Sequence, residues 1–406
     1  MSTMQVQPIL AALRKHRIAT ALIALEVALA CAVLCNACFL IMQRVDAMHV
    51  ASGVDEGALG TFSLDGFTPE QATDLNARVL AGLRGVAGVQ SATVINAVPF
   101  GEHAGRAGVF LDQTNTRFGG VVDFYLASQG TAEALGLRLV AGRMPTRDEY
   151  APVVNFTPRS PPVVITRALA EHFWPGENPL GKTFWSMEPF RVVGVIEHLV
   201  VPQPGGGQEQ GPDWSVFVPA QPGPQFAGRY LVRANPSDLP GVMRRAKEAV
   251  LKAAPEAVMD QAQSRTIVEL RDRYFLTSRV MTGLLVGVVL ALLGTTALGI
   301  VGLASFWVAQ RRKQIGVRRA LGATSGDILR YFQIENFLIV SIGIALGIAL
   351  AFGINAGLMQ LYELPRLPVW YLPVGATALW ILGQLAVLAP ALRAAAVPPV
   401  AAMRSA

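Results

Sequence analysis

Four apolar runs constrain what this chain can fold into more than any other feature. They are Ile18 to Met42, Val280 to Val308, Phe337 to about Gly357, and Tyr371 to Leu392. Each approaches or exceeds the ~20 residues a helix needs to cross a hydrocarbon core. The chain therefore reads as an α-helical membrane protein with four transmembrane helices. The last three runs are rich in Gly and Ala, which suits close helix packing in lipid. At about 1.5 Å per residue, the run Val280 to Val308 outreaches the ~30 Å core, so it is expected to tilt or project as a stalk.

Charge sets the orientation. The net +6 is concentrated: from Arg311 to Arg330, six Lys or Arg stand against Asp327 alone, a local +5. Arg14, Lys15 and Arg17 precede the first run, and Arg393 and Arg404 follow the last. Cytoplasmic connections carry the Lys and Arg excess, so these three places and both termini are expected on that side. A charge excess confined to a membrane corner gives no reason to propose a nucleic-acid partner. The expected division is 1–17 cytoplasmic, 18–43 first span, 44–276 external domain, 277–308 second span and stalk, and 309–327 cytoplasmic corner. Then come 328–357 as third span, 358–370 as a short outer loop around Glu363, 371–392 as fourth span and 393–406 as cytoplasmic tail.

The corner runs Arg311-Arg312-Lys313-Gln314-Ile315-Gly316-Val317-Arg318-Arg319-Ala320-Leu321-Gly322-Ala323-Thr324. Arg311 and Arg318 are seven apart, as are Arg312 and Arg319, so on a helix each pair shares a face with Ile315 between. Such a segment can lie against lipid headgroups. Gly322 reads as a helix stop, and Thr324 with Asp327 as the cap that restarts one.

From about Arg44 to Phe275 the composition is that of a soluble α/β domain. Strand Thr61 to Leu64, a helix capped by Thr68-Pro69-Glu70-Gln71 and running to about Leu83, and strand Val89 to Val98 form one β-α-β unit. Strand Tyr230 to Arg233, helix Asp238 to Ala253 and strand Ala257 to Gln261 repeat the order. Two such halves flanking an insertion predict a ferredoxin-like lobe with an inserted second lobe at about 127–225. Strands there are expected at Val121 to Leu126, Val163 to Ile165, Phe190 to Ile196 and Trp214 to Val218. Val201 to Pro212, rich in Pro, Gly and Gln, reads as a mobile loop.

The first run is about twice the length of a signal core and lacks a cleavage site, so it reads as a retained anchor. Its Cys31, Cys35 and Cys38 share a helical face but are read as packing residues rather than a metal site. The external region holds no cysteine, so it folds without disulfides. Glu26 and Asn36 are polar residues at membrane depth, where an ionisable group is a functional candidate by default.

No GxxxxGK[ST] phosphate loop and no G-x-S-x-G elbow occurs. Glu102-His103, Glu171-His172 and Glu197-His198 fit no metal spacing and read as surface pairs. No cofactor is expected, and the chain does not read as an enzyme.

The stretch Arg311 to Leu329, RRKQIGVRRALGATSGDIL, resembles the signature of MacB/FtsX-type (type VII) ABC transporter permeases. Val98-Pro99-Phe100, Ala134 to Arg138 with Gly142-Arg143, Pro162 to Ile165 with Pro175 to Lys182, Val192 to Ile196, and the tail Val397 to Arg404 are similar to the macrolide-exporter branch. The resemblance implies a permease of the bacterial inner membrane with a two-lobed periplasmic domain, assembled as a homodimer or with a homologous permease on a separate ABC ATPase. It implies that Gln314, Ile315, Gly316, Arg318, Arg319, Leu321 and Gly322 lie at or beside the ATPase contact. The family commonly has Glu where this chain has Gln314. Efflux of a macrolide-like compound or peptide, with a periplasmic adaptor and an outer-membrane duct, is the first expectation. Lipoprotein extraction and mechanical activation of a periplasmic cell-wall hydrolase are the alternatives.

Overall fold

The computed structural model describes residues 17–102, 105–205, 210–362 and 366–396. Two compact units result, Ala47–Thr277 and a second made of Met1–Asp46 with Ser278–Ala406. The described chain opens with α1 (Arg17–Met48), β1 (Leu59–Asp65), α2 (Ala72–Arg84) and β2 (Val89–Val94). Next come β3 (Gly105–Phe110), β4 (Phe118–Ala127), α3 (Thr131–Leu135), β5 (Leu139–Gly142), β6 (Ala151–Pro152) and β7 (Pro162–Thr166). α4 (Arg167–Phe173), β8 (Thr183–Trp185), β9 (Pro189–Ile196), β10 (Ser215–Gln221) and β11 (Arg229–Ala234) follow. α5 (Leu239–Ala253), β12 (Val258–Met259) and α6 (Ile267–Tyr274) lead to α7 (Leu276–Gln310), α8 (Arg312–Ala320), α9 (Ser325–Tyr362) and α10 (Tyr371–Ala395).

Four of these helices, α1, α7, α9 and α10, are long and apolar enough to cross a membrane. In their unit, α1 and α9 meet through small residues. A Cβ on Gly343 would stand 2.8 Å from the Ala24 carbonyl oxygen, and one on Gly347 would stand 2.7 Å from that of Ala28. Only the missing side chains of this Gly-x-x-x-Gly pair let the backbones approach that closely. Cys31 packs on Gly347 and Cys35 on Gly375, and both thiols are buried. Asn36, also buried, donates from Nδ2 to Ala32 O at 3.0 Å and Ala351 O at 3.2 Å. The Glu26 carboxylate lies against Gly299 of α7, where a Cβ would come within 2.6 Å of Oε2. The loop expected around Glu363, the N-terminal residues to His16 and the tail from Val397 lie outside the described residues.

The central unit contains two sheets. One has the order β12-β1-β11-β2, antiparallel throughout, with Leu59 opposite Arg233 and Tyr230 opposite Val94. Helices α2 and α5 pack on each other, Gly82 against Ala253, and bury Leu75, Val79 and Leu83 with Val242, Ala246 and Val250. The α2 start differs from the expected one by a turn: the helix opens at Ala72, while the Gln71 side chain accepts from Thr68 N at 2.9 Å. That bond is the returning half of a capping box, used here to close the turn before the helix.

The second sheet follows β4-β3-β8-β9-β7-β10-β6, with β5 on β9. β4 also pairs β10 in parallel, Ser215 with Asp123 through Pro219 with Ala127, so six strands close into a ring. Its thinnest seam is β3 to β8, joined by the single pair Phe110 and Trp185. Phe124, Phe184 and Phe190 stack inside it, with centroids 5.0 and 5.3 Å apart. The strands of this ring begin at Gly105, ahead of residue 127, because β3 and β4 belong to it. Gly105-Arg106-Ala107-Gly108 has weak strand propensity, so packing and not local preference makes it a strand. Buried residues of both sheets share one continuous apolar cluster. In the loop expected to be mobile, Val201 is buried and donates to Pro212 O at 3.0 Å, and Gln210 donates to the buried Asp123. Residues 206–209 of that loop lie outside the described residues.

Within the central unit, one arginine gathers stretches of the chain far apart in sequence. Arg271, in the last turn of α6, donates to Glu56 Oε1 at 2.5 Å, Met48 O at 3.0 Å and Val50 O at 2.6 Å. Its guanidinium lies 4.8 Å from the Phe100 ring and 5.8 Å from Phe275. Phe100 is held at φ 63°, a conformation a bulky residue adopts only when its surroundings impose it. α6 itself is fixed by a capping box between Thr266 and Glu269.

Candidate functional site

The basic corner is built by three backbone events. α7 ends at Gln310, and Arg311, with φ −96° and ψ 10°, stands between it and α8. α8 then stops at Ala320, followed by Gly322 at φ +100°. Gly322 N donates to Arg319 O and Ala323 N to Arg318 O, both at 3.1 Å, which is the paired closure of a Schellman motif and needs a residue free to take positive φ. Thr324 caps α9: Asp327 Oδ2 accepts from Thr324 N at 3.0 Å and from Thr324 Oγ1 at 2.6 Å, and Asp327 N donates to Thr324 Oγ1 at 3.2 Å. With Leu321 N bonded to Val317 O at 3.1 Å, every N–H of the linker Leu321 to Thr324 is tied to one helix or the other.

The side chains divide into those that fix the corner and those left outward. Arg311 is outside α8, so the shared helical face expected for Arg311 and Arg318 does not form as such. Instead, Arg311 Nη1 reaches both oxygens of Glu335 on α9, at 3.0 and 2.9 Å. Glu335 is 2% exposed. A carboxylate at that depth requires such a partner. Arg319 donates to Ala395 O at 2.7 Å, and Ser325 Oγ to the same oxygen at 3.3 Å, pinning α8 and the start of α9 to the end of α10. Cations at a helix C-terminus also meet its negative dipole end. Ile315 and Gly316 are buried, Ile315 against Ile328 and Phe332. Arg312, Lys313, Gln314 and Arg318 are exposed, and Leu321 is 83% exposed.

Between α8 and α9 runs a cleft of about 410 Å³, lined by Gln314, Ile315, Arg318, Leu321, Tyr331 and Phe332 among others. Arg318 lies 5.0 Å from the Tyr331 ring, a cation–π placement. Of the residues expected here, Gln314, Ile315, Arg318 and Leu321 line this cleft. Gly316, Arg319 and Gly322 shape the corner without lining it. Glu26 and Asn36 do not belong to it. Sequence reading missed Glu335, Tyr331 and the Ala395 carbonyl. A lone acid two residues before the third apolar run was the one signal for Glu335.

Among the described residues no three His, Cys, Asp or Glu side chains gather as a metal site would require. His172 stacks on Trp214 at 3.8 Å and pairs with Gly119 O at 3.0 Å. His198 Nδ1 sits 2.9 Å from Asp213, whose carboxyl is pushed up by burial against the lowering effect of that histidine. His103 lies outside the described residues.

The family profile of the MacB-like periplasmic core domain matches residues 33–267, more than half of the chain, and that of the FtsX-like permease C-terminal region matches 284–399. The chain belongs to the MacB/FtsX family of ABC transporter permeases. Within this permease, the corner lies wholly in the FtsX-like region. The macrolide export ATP-binding/permease protein MacB of Aggregatibacter actinomycetemcomitans is 27% identical over 218 residues, 53% of this chain and 33% of that protein. The uncharacterized ABC transporter permease YknZ of Bacillus subtilis is 21% identical over 327 residues, 80% of this chain and 78% of that protein. The chain thus spans about a third of the MacB relative and most of YknZ. Among solved structures, the periplasmic region of MacB from Actinobacillus actinomycetemcomitans aligns with TM-score 0.32 at 16% identity, over 53% of this chain and 93% of that one.

Proposed function

We propose that this permease couples ATP hydrolysis by a separate ABC ATPase to motion of its periplasmic domain, driving efflux of a macrolide-like compound or a peptide. In this reading the protein sits in the bacterial inner membrane as a dimer, with both termini and the corner cytoplasmic and residues 44–276 periplasmic. The β12-β1-β11-β2 sheet with α2 and α5 is its ferredoxin-like lobe, and the strand ring is the inserted lobe, to which an adaptor leading to an outer-membrane duct would dock. Gln314, Ile315, Gly316, Arg318, Arg319, Leu321 and Gly322 form or shape the ATPase contact. The observation that carries the reading is the corner itself: exposed cations on a short helix whose connection to α9 is bonded at every linker N–H. Orientation in the membrane would need the charges alone and not the locked joint.

The test is ATP-dependent transport in vesicles holding the chain and its ATPase. The double substitution Arg318→Glu and Arg319→Glu should abolish coupling while membrane insertion is retained, and unchanged transport would return the corner to an orientation signal. Robust ATP hydrolysis by the purified chain alone would sink the division of labour.

A further inference from the structure

Arg318 differs from the two arginines that flank it in the fold. Arg311 is committed to Glu335, and Arg319 donates to the Ala395 carbonyl. Arg318 has only the Tyr331 ring and forms no ion pair among the described residues. The nearest acid lining the same cleft, Asp327, spends its Oδ2 on the Thr324 cap. On a helix the position four before Arg318 shares its face, and a Glu there would pair with it. That position holds Gln314, neutral and also on the cleft. Below these two polar groups the cleft floor is apolar: Ile315, Ile328 and Phe332 are 6%, 5% and 4% exposed.

We propose that this cleft receives a segment of the partner ATPase in which an Asp or Glu stands beside an aliphatic or aromatic residue, the carboxylate pairing with Arg318 and the apolar neighbour seating on Ile315, Ile328 and Phe332. Gln314 keeps the Arg318 guanidinium available by supplying no internal acid. The inference rests on the corner being an ATPase contact. Charge complementarity selects the occupant: the corner carries a local +5 over Arg311 to Arg330, and a concave site with one open cation above an apolar floor fits a protein side-chain pair. An anionic headgroup would be met equally well by the exposed Arg312 and Lys313 and would leave the floor unfilled.

The experiment uses the full chain in nanodiscs with the ABC ATPase that co-purifies with it. Arg318→Glu should lower permease-stimulated ATP hydrolysis about tenfold or more. Gln314→Glu should lower it about twofold by pairing Arg318 internally, a larger fall than that of Gln314→Ala, which adds no charge. A photo-crosslinking phenylalanine at position 314 should join an ATPase peptide containing Asp or Glu. The same probe at position 317, where Val317 is 54% exposed, reports on contact with the rest of α8. Adducts to the ATPase from position 317 alone, or hydrolysis unaffected by Arg318→Glu and Gln314→Glu, overturn the cleft proposal and leave the corner reading standing. Phospholipid adducts at position 314 overturn it in favour of a headgroup site. If no ATPase co-purifies or crosslinks at either position, the corner reading and the inference fall together.

Discussion

Two arginine-centred regions of this molecule, the cluster around Arg271 and the corner around Arg311 to Arg319, use the same side chain to opposite ends. In the Arg271 cluster the guanidinium is satisfied from within: one carboxylate, two carbonyls and two aromatic faces surround it. At the corner the satisfied groups, Arg311 and Arg319, fix the backbone, and others are left outward. An arginine whose donors all end inside its own unit is structural, because removing it strands buried partners. One left beside a cleft without an ion pair among the described residues has its charge still to be met. The same residue type in one protein therefore separates into side chains bonded within their own unit and side chains left outward, the second being those proposed as the ATPase contact.

That separation can be broken by measuring stability. The largest effect is expected from Arg311→Ala, which leaves Glu335 in the apolar interior without its guanidinium and should cost about 3–5 kcal/mol. Denaturant titration of the membrane unit in detergent measures it, and a loss below about 1 kcal/mol would place the pair among weak surface contacts. Arg271→Ala should cost somewhat less, about 2–3 kcal/mol, because Arg271 and Glu56 keep 21% and 19% exposure. Hydrogen exchange over residues 47–277 should locate the loss at Met48 to Glu56 and at α6. Arg271→Lys should recover only part of it, since an ammonium lacks the planar fork.

A smaller effect is expected at Glu149 in the central unit. The bidentate Arg143 contact, at 2.6 Å for each oxygen, holds its carboxyl down from 4.5 to about 2. A carboxyl depressed on folding stabilises the fold above its unfolded value and loses that contribution as pH falls through its folded one. The central unit should therefore weaken between about pH 4.5 and 2, and Glu149→Gln should flatten that part of the melting-temperature profile. Arg143 is 47% exposed, so solvent keeps the amplitude modest. The smallest change belongs to Arg318→Ala, expected within about 0.5 kcal/mol of the parent. A loss comparable to that of Arg311→Ala would erase the distinction between the two regions.

Local chemistry made much of this legible in the sequence. The spans follow from run length, the two β-α-β halves from their repeated order, and the joint at Gly322 and Thr324 from side chains that act within four residues. What stayed hidden depends on contacts distant in sequence. The closure of the strand ring rests on Ser215 to Pro219 lying beside Asp123 to Ala127, and no local pattern announces a parallel pair across that separation. Glu335 lies 24 residues from Arg311, and Arg271 draws its carbonyl partners, Met48 and Val50, from the opposite end of the central unit's sequence. At the start of the Val201 to Pro212 loop, the Pro and Gly content describes the backbone alone and gives no sign that Val201 is fully buried. At the corner, the break at Arg311 turned one cation onto the buried Glu335, which helical spacing alone does not show.

The bonded linker between α8 and α9 has a consequence for motion. A hinge absorbs part of any displacement by rotating about unbonded residues, and here all four linker N–H groups are engaged. Under the proposed coupling, a shove on Arg312 to Ala320 would reach the first turn of a 38-residue helix with little lost in the linker. At about 1.5 Å per residue, that rod is long enough to turn a small tilt at one end into a sweep of several ångströms at the other.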